Sequence, residues 1–93
     1  MERIRGQKDA VLFFMAKQGP ITQRIASDRL GVDRLAARIA DLKEILANDK
    51  ELKRYGWERF EGRYIITEYE IKVNRYGRHT RIARYRLNEE KDA

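Results

Sequence analysis

Cysteine is absent from this 93-residue chain, which removes disulfides, thiolate zinc sites and cysteine nucleophiles from the possible chemistry. A reducing compartment is the corresponding expectation, and the chain reads as cytoplasmic. Its one histidine, His79, and its one serine, Ser27, fall in different predicted elements, and no acid follows them in a nucleophile-base pattern. There is no glycine loop for nucleotide phosphates and no His/Asp/Glu cluster with metal-ligand spacing. The expectation is a protein with no catalytic residues, no metal and no cofactor. Long apolar runs are missing too. The stretch AVLFFMA, held between Asp9 and Lys17, is too short for a signal sequence or a bilayer span, so no membrane partner is expected.

What the chain does have is charge. Charged residues make up 39% of it, and 21 lysines and arginines outnumber 15 acids to give a net charge of +6. That sign favours polyanionic partners, nucleic acid first. With 42% hydrophobic residues, the length suits one small domain over residues 1–93 with a single core and no deep cleft between lobes.

Local patterns divide this domain. A first helix is predicted from Ile4 to Gln18, apolar nearly all the way round at Val11, Leu12, Phe13, Phe14, Met15 and Ala16, and therefore covered on more than one side. Phe13 is either a dimer contact or, on the plainer reading, packed within its own domain. Gly19-Pro20 ends the helix, because proline cannot continue the hydrogen-bond ladder. Thr22 is placed to cap a short second helix through Leu30, with Ile25, Ala26 and Leu30 inward, and Gly31 closes it in the left-handed region. Asp33 then caps a third helix whose Leu35, Ile39, Leu42 and Leu46 recur at helical spacing. Two helices joined by a tight glycine turn form a helix-turn-helix. Residues 47–63 read as a last helical piece, NDKELKRYG, ended by Gly56, followed by a turn anchored by Trp57 and Phe60.

The final third predicts a hairpin with a defined register. Ile65, Thr67, Tyr69, Ile71 and Val73 share one face of the outgoing strand, and Ala83, Tyr85 and Leu87 share one face of the return. A three-residue loop, Arg75-Tyr76-Gly77, pairs Asn74 with Arg78, brings both sets to the same face and sets Glu68 opposite Arg84. Tyr55, Trp57, Phe60, Tyr64, Tyr69 and Tyr85 could stack on the bases of a single strand, but most are expected as minor core, leaving only Tyr76 clearly presented outward. The tail, residues 88–93, is expected to fray.

Three helices followed by a hairpin form the winged-helix arrangement, an α+β fold. The threonine-capped ITQRIASDRLGV, the stretch RLAARIADLK and the closing KVNRYG…RIARYRL make the chain resemble small winged helix-turn-helix proteins common in phages and prophages. The resemblance covers most of residues 10–87 and implies DNA binding, in a regulatory or replication accessory role. Two departures accompany it. The segment ILANDKELKRYGWERFEG is longer than the family's usual glycine-containing link. Ala37 and Ala40 also stand six and nine places after the turn glycine, where the wider pattern has larger apolar residues.

Candidate contacts follow. Arg34, Ala37, Arg38 and Asp41, with Asp33 at the helix start, lie beside the apolar stripe on a surface of small residues that suits close approach to a groove. Arg34 and Arg38 are expected to be exposed there, able to reach guanine edges or phosphates. The plainer alternative is a solvated face with an Arg38–Asp41 pair. At the hairpin tip Arg75, Tyr76, Arg78, His79 and Arg81, with Arg84 and Arg86 beyond, form a cationic run without an acid between Glu70 and Glu89, which an anion would relieve. Thr22 and Gln23 offer free amides at a helix start for a phosphate. The leading expectation is a double-stranded DNA binder. Its rival is an interaction module, inhibitor or adaptor, that binds an acidic protein and uses Trp57 and Phe60 as exposed anchors.

Overall fold

The computed structural model describes residues 6–88. Helix α1 spans Gln7–Lys17, so the expected start at Ile4 lies outside the described residues. Val11, Leu12 and Met15 are buried, and Phe13 and Phe14 pack against the same core. Beyond Pro20 the chain extends as β1, Ile21–Thr22. The Thr22 hydroxyl then accepts the Ile25 N–H at 3.3 Å and starts α2, Gln23–Ile25, which continues as a π-helical turn over Ala26–Leu30. Gly31 at φ 67° ends it, and the Val32 N–H reaches back to the Ala26 carbonyl at 3.0 Å, as the sequence requires of a tight turn.

Helix α3, Leu35–Leu46, buries Leu35, Ile39, Leu42 and Leu46 as its spacing predicts, together with Ile45. Asp33 does not cap it. The N-cap position is Arg34, with no side-chain bond of its own, and the first-turn N–H of Leu35 is instead met by the side chain of Gln23. Asp33 is simply exposed. Asn48 caps α4, Asp49–Tyr55, accepting the N–H groups of Lys50 and Glu51 at 3.0 and 3.4 Å, and Gly56 terminates it in the left-handed region.

A 3-10 turn over Glu58–Phe60 follows, and here the structure departs from the idea of exposed anchors. Trp57 and Phe60 are buried. Phe13, half-buried, stacks on Phe60 and meets Trp57 edge-on, both at 6.4 Å between ring centroids, so it packs against its own domain. The inserted segment thus enlarges a core that 93 residues would otherwise leave thin.

Strands β2, Ile65–Val73, and β3, His79–Leu87, pair antiparallel in the expected register, with Thr67 opposite Tyr85, Glu68 opposite Arg84 and Tyr69 opposite Ala83. Gly77 adopts φ 77° at the tip, and the Asn74 N–H donates to the Arg78 carbonyl at 2.9 Å. Strand β1 adds to the other side of β3, giving the order β1-β3-β2. Asn88, expected to fray, is held: its N–H donates to the Tyr64 carbonyl, its side chain accepts the Tyr64 N–H at 2.8 Å, and its carbonyl accepts from Arg63. The rest of the expected tail lies outside the described residues. The fold is an α+β winged helix, with α4 as an extra helix between α3 and the wing.

Only the base of the wing is covered. Ile65, Leu87 and Ile21 are buried on one face, but Tyr69, Ile71 and Val73 farther along it are 58%, 66% and 60% exposed, because the strands outrun the helices beneath them. The hairpin's reach gives the molecule its 49 Å long axis against 30 and 22 Å. Tyr69 is therefore not minor core, and Tyr64 and Tyr55 are also exposed.

Candidate nucleic-acid interface

The helix-turn-helix is stitched by one side chain. Gln23 donates from Nε2 to the Val32 carbonyl at 2.8 Å and to the Ser27 hydroxyl at 2.9 Å, while its Oε1 accepts the Leu35 N–H at 2.8 Å. These bonds tie the start of α2 to the start of α3 and set the angle between them. They also commit both ends of the Gln23 amide. The Thr22 hydroxyl likewise accepts a hydrogen bond as a cap, while the phosphate contact expected at this helix start rests on its backbone amides and not on these side chains.

Which side of α3 is open differs from the sequence reading. Arg34 is exposed as expected, but Ala37, Arg38 and Asp41 are half-buried. Arg38 pairs with Asp41 at 3.3 Å and lines a cleft of about 710 Å³ with Lys8, Phe13, Tyr55 and Trp57. That flank faces the side closed in by α4 and the aromatic cluster, so the insertion is what shelters it. The open flank carries Ala36, Ala40 and Lys43, with Ala47 at the C-cap, a row of small side chains at helical spacing interrupted by one cation and bordered by the exposed Glu44. Sequence reasoning missed these residues, although their i, i+4, i+7, i+11 recurrence was available as a signal.

Lys43 marks where this flank meets the wing. Its Nζ donates to the Thr67 hydroxyl at 3.4 Å, so the open side of α3 and the partly bare face of the hairpin adjoin. Along that face Tyr69 carries the Arg81 guanidinium 4.3 Å above its ring, a contact worth about 0.5–1 kcal/mol at an exposed site. At the tip, the Asn74 side chain accepts the N–H groups of Tyr76 and Arg78 at 2.9 and 3.0 Å, which orders the loop bearing Arg75, Tyr76 and Arg78. Tyr76 is 81% exposed, and His79 is exposed beside it.

The cations of the wing fall into two groups. Near the base, Arg86 and Arg84 both reach Glu68, at 2.8 and 3.9 Å, and so do not belong to the tip cluster with which the sequence grouped them. At the tip, Arg75 and Arg78 have no acid partner among the described residues, and the same holds for Arg34 on α3. Unneutralised guanidinium groups thus stand at the start of α3 and at the wing tip, while the α3 flank and the adjoining hairpin face carry alanine, lysine, threonine and tyrosine with one acid, Glu44, a turn beyond Ala40. No group of residues suited to hold a metal ion occurs among the described residues, and no helix there is long and apolar enough to cross a membrane.

Residues 6–45 match the family model of a winged helix-turn-helix domain. The match runs from the start of α1 to the last turn of α3 and so covers the helix-turn-helix itself, while α4 and the wing lie beyond it. No curated protein and no solved structure matches the chain.

Proposed function

We propose that the protein is a non-enzymatic, cytoplasmic binder of double-stranded DNA that needs no cofactor. In this reading α3 enters a major groove by its Ala36–Ala40–Lys43 flank, with Arg34 at its start, and the wing tip lies on adjacent phosphates or in the neighbouring minor groove. The observation that carries the proposal is the Lys43–Thr67 contact, which sets the open flank of α3 beside a hairpin whose tip arginines lack acidic partners. Small side chains let a helix axis come close to base edges, and unpaired guanidinium groups gain most from phosphate. The winged helix-turn-helix match supports the same reading, since such domains generally bind DNA.

A regulatory or replication accessory role in a phage or prophage is the biological setting we propose, on the resemblance of the helix-turn-helix and closing hairpin to that family. The rival, an adaptor or inhibitor of an acidic protein, loses its intended anchors because Trp57 and Phe60 are buried. Anisotropy titration of labelled duplex at two salt concentrations tests the proposal. Binding that weakens steeply as salt rises is expected, and no binding at low salt would transfer the basic surface to a protein partner.

A further inference from the structure

The outer backbone edge of the wing is open, and DNA recognition through α3 and the tip does not use its hydrogen-bonding groups. Strand β2 pairs only with β3 and lies at the edge of the sheet. Hydrogen bonds at the two ends of the hairpin, from the Asn74 N–H to the Arg78 carbonyl and from the Asn88 N–H to the Tyr64 carbonyl, point the even-numbered residues of β2 at β3. Antiparallel alternation therefore turns the backbone N–H and C=O groups of Thr67, Tyr69, Ile71 and Val73 outward along the edge. Natural sheets blunt such an edge with charged side chains, proline, a bulge or a short strand, and of these devices β2 has only its charges, Glu68, Glu70 and Lys72. This one runs nine residues from Ile65 to Val73 without proline, glycine or any break in register.

We propose that this edge pairs with the same edge of a second copy of the chain, antiparallel about a twofold axis, with Ile71 opposite its own copy. In that register Tyr69 faces Val73 twice, joining exposed apolar side chains of the two copies on one face of a continuous sheet. On the other face Glu70 meets Lys72 twice. Neither residue has an ion-pair partner among the described residues of the single chain, where their cross-strand neighbours are Ile82 and Thr80. The pairs Ile71–Ile71 and Tyr69–Val73 fall at hydrogen-bonded positions, so Glu70 and Lys72 meet at the closer, non-hydrogen-bonded ones.

Neighbouring registers fail on charge. Centring on Tyr69 sets Glu68 against Glu70, centring on Glu70 sets it against itself, and centring on Lys72 does the same for lysine. Shifts that put odd residues opposite even ones join the apolar face to the charged one. The Ile71-centred pairing is the one in which both faces agree.

The test uses the full chain without nucleic acid, by sedimentation equilibrium over a wide concentration range. A reversible dimer is expected for the natural sequence. Glu70→Lys and Lys72→Glu should each abolish it by placing like charges opposite, and the two together should restore it. These positions are exposed, so circular dichroism should be unchanged. Because the chain has no cysteine, Ile71→Cys adds a single thiol whose copy lies about 5.5 Å away between Cα atoms, within disulfide reach. Oxidation should link it readily, and Lys72→Cys, whose copies are not opposite, far less. A monomer at every concentration, a double swap that fails to restore the dimer, or equal linking by the two cysteines would overturn the proposal. Since no DNA is present, none of these outcomes bears on the DNA contacts.

Discussion

Gln23 caps a helix that begins twelve residues after it: its Oε1 accepts the Leu35 N–H at 2.8 Å while its Nε2 donates to the Val32 carbonyl. The turn of the helix-turn-helix is thus held by a side chain from the previous helix. Gln23→Ala leaves the part-buried Leu35 N–H without its acceptor and the Val32 carbonyl with only the Ser27 hydroxyl as donor. It is expected to cost about 1–2 kcal/mol of stability, measured by chemical denaturation, with the lost bonds belonging to the backbone of Val32 and Leu35.

The apolar stripe of α3 gives the sharpest stability contrast. Ile39 is 2% exposed and Ile71 is 66% exposed, although both are isoleucines in regular structure. Ile39→Ala should cost roughly 2–5 kcal/mol. Ile71→Ala, measured at concentrations low enough to keep the chain monomeric, should fall within about 0.5 kcal/mol of the parent. Equal thermal melts for the two variants would place the stripe wrongly.

On the DNA-facing side, the two flanks of α3 should behave differently. Ala40→Glu, on the open flank, should leave stability nearly unchanged and weaken duplex binding at least about tenfold, since like charge at an interface costs several kcal/mol. Arg34→Ala should lose about 1–3 kcal/mol of binding and relax preference at one base position if it reads a base edge. Arg38→Ala should do neither, because Arg38 is occupied with Asp41 on the sheltered flank. Filter binding on a selected duplex pool resolves all three.

Much of this was legible because the signals are local. The register of the hairpin follows from period-two alternation, from Glu68 facing Arg84 and from a glycine at the one tip position that needs positive φ. Leu35, Ile39 and Leu42 announce the buried face of α3 by spacing alone. What failed to show depends on distant chain. Asp33 has the composition of a cap, but Gln23 reaches the same N–H from the preceding helix. The open flank of α3 is decided by Trp57 and its neighbours, which close in on Arg38 from the later inserted segment. Tyr69, Ile71 and Val73 alternate like core residues, yet alternation reports only that they share a face. Whether anything covers that face depends on how far the helices extend.

The most direct test of the account is the salt dependence of duplex binding by a wing variant in which Arg75, Arg78 and Arg81 are replaced by alanine together. The Asn74 bonds and the base pairs of the hairpin do not need these side chains, and the fold should persist, less the Arg81–Tyr69 contact. Each phosphate contact releases counterions, so the slope of log K against log salt should shrink by about 0.9 for every contact removed, on specific and unrelated duplexes alike. A smaller slope with weaker binding on every sequence is the predicted result. An affinity and slope identical to those of the natural protein would contradict it, and would mean that the wing does not touch DNA.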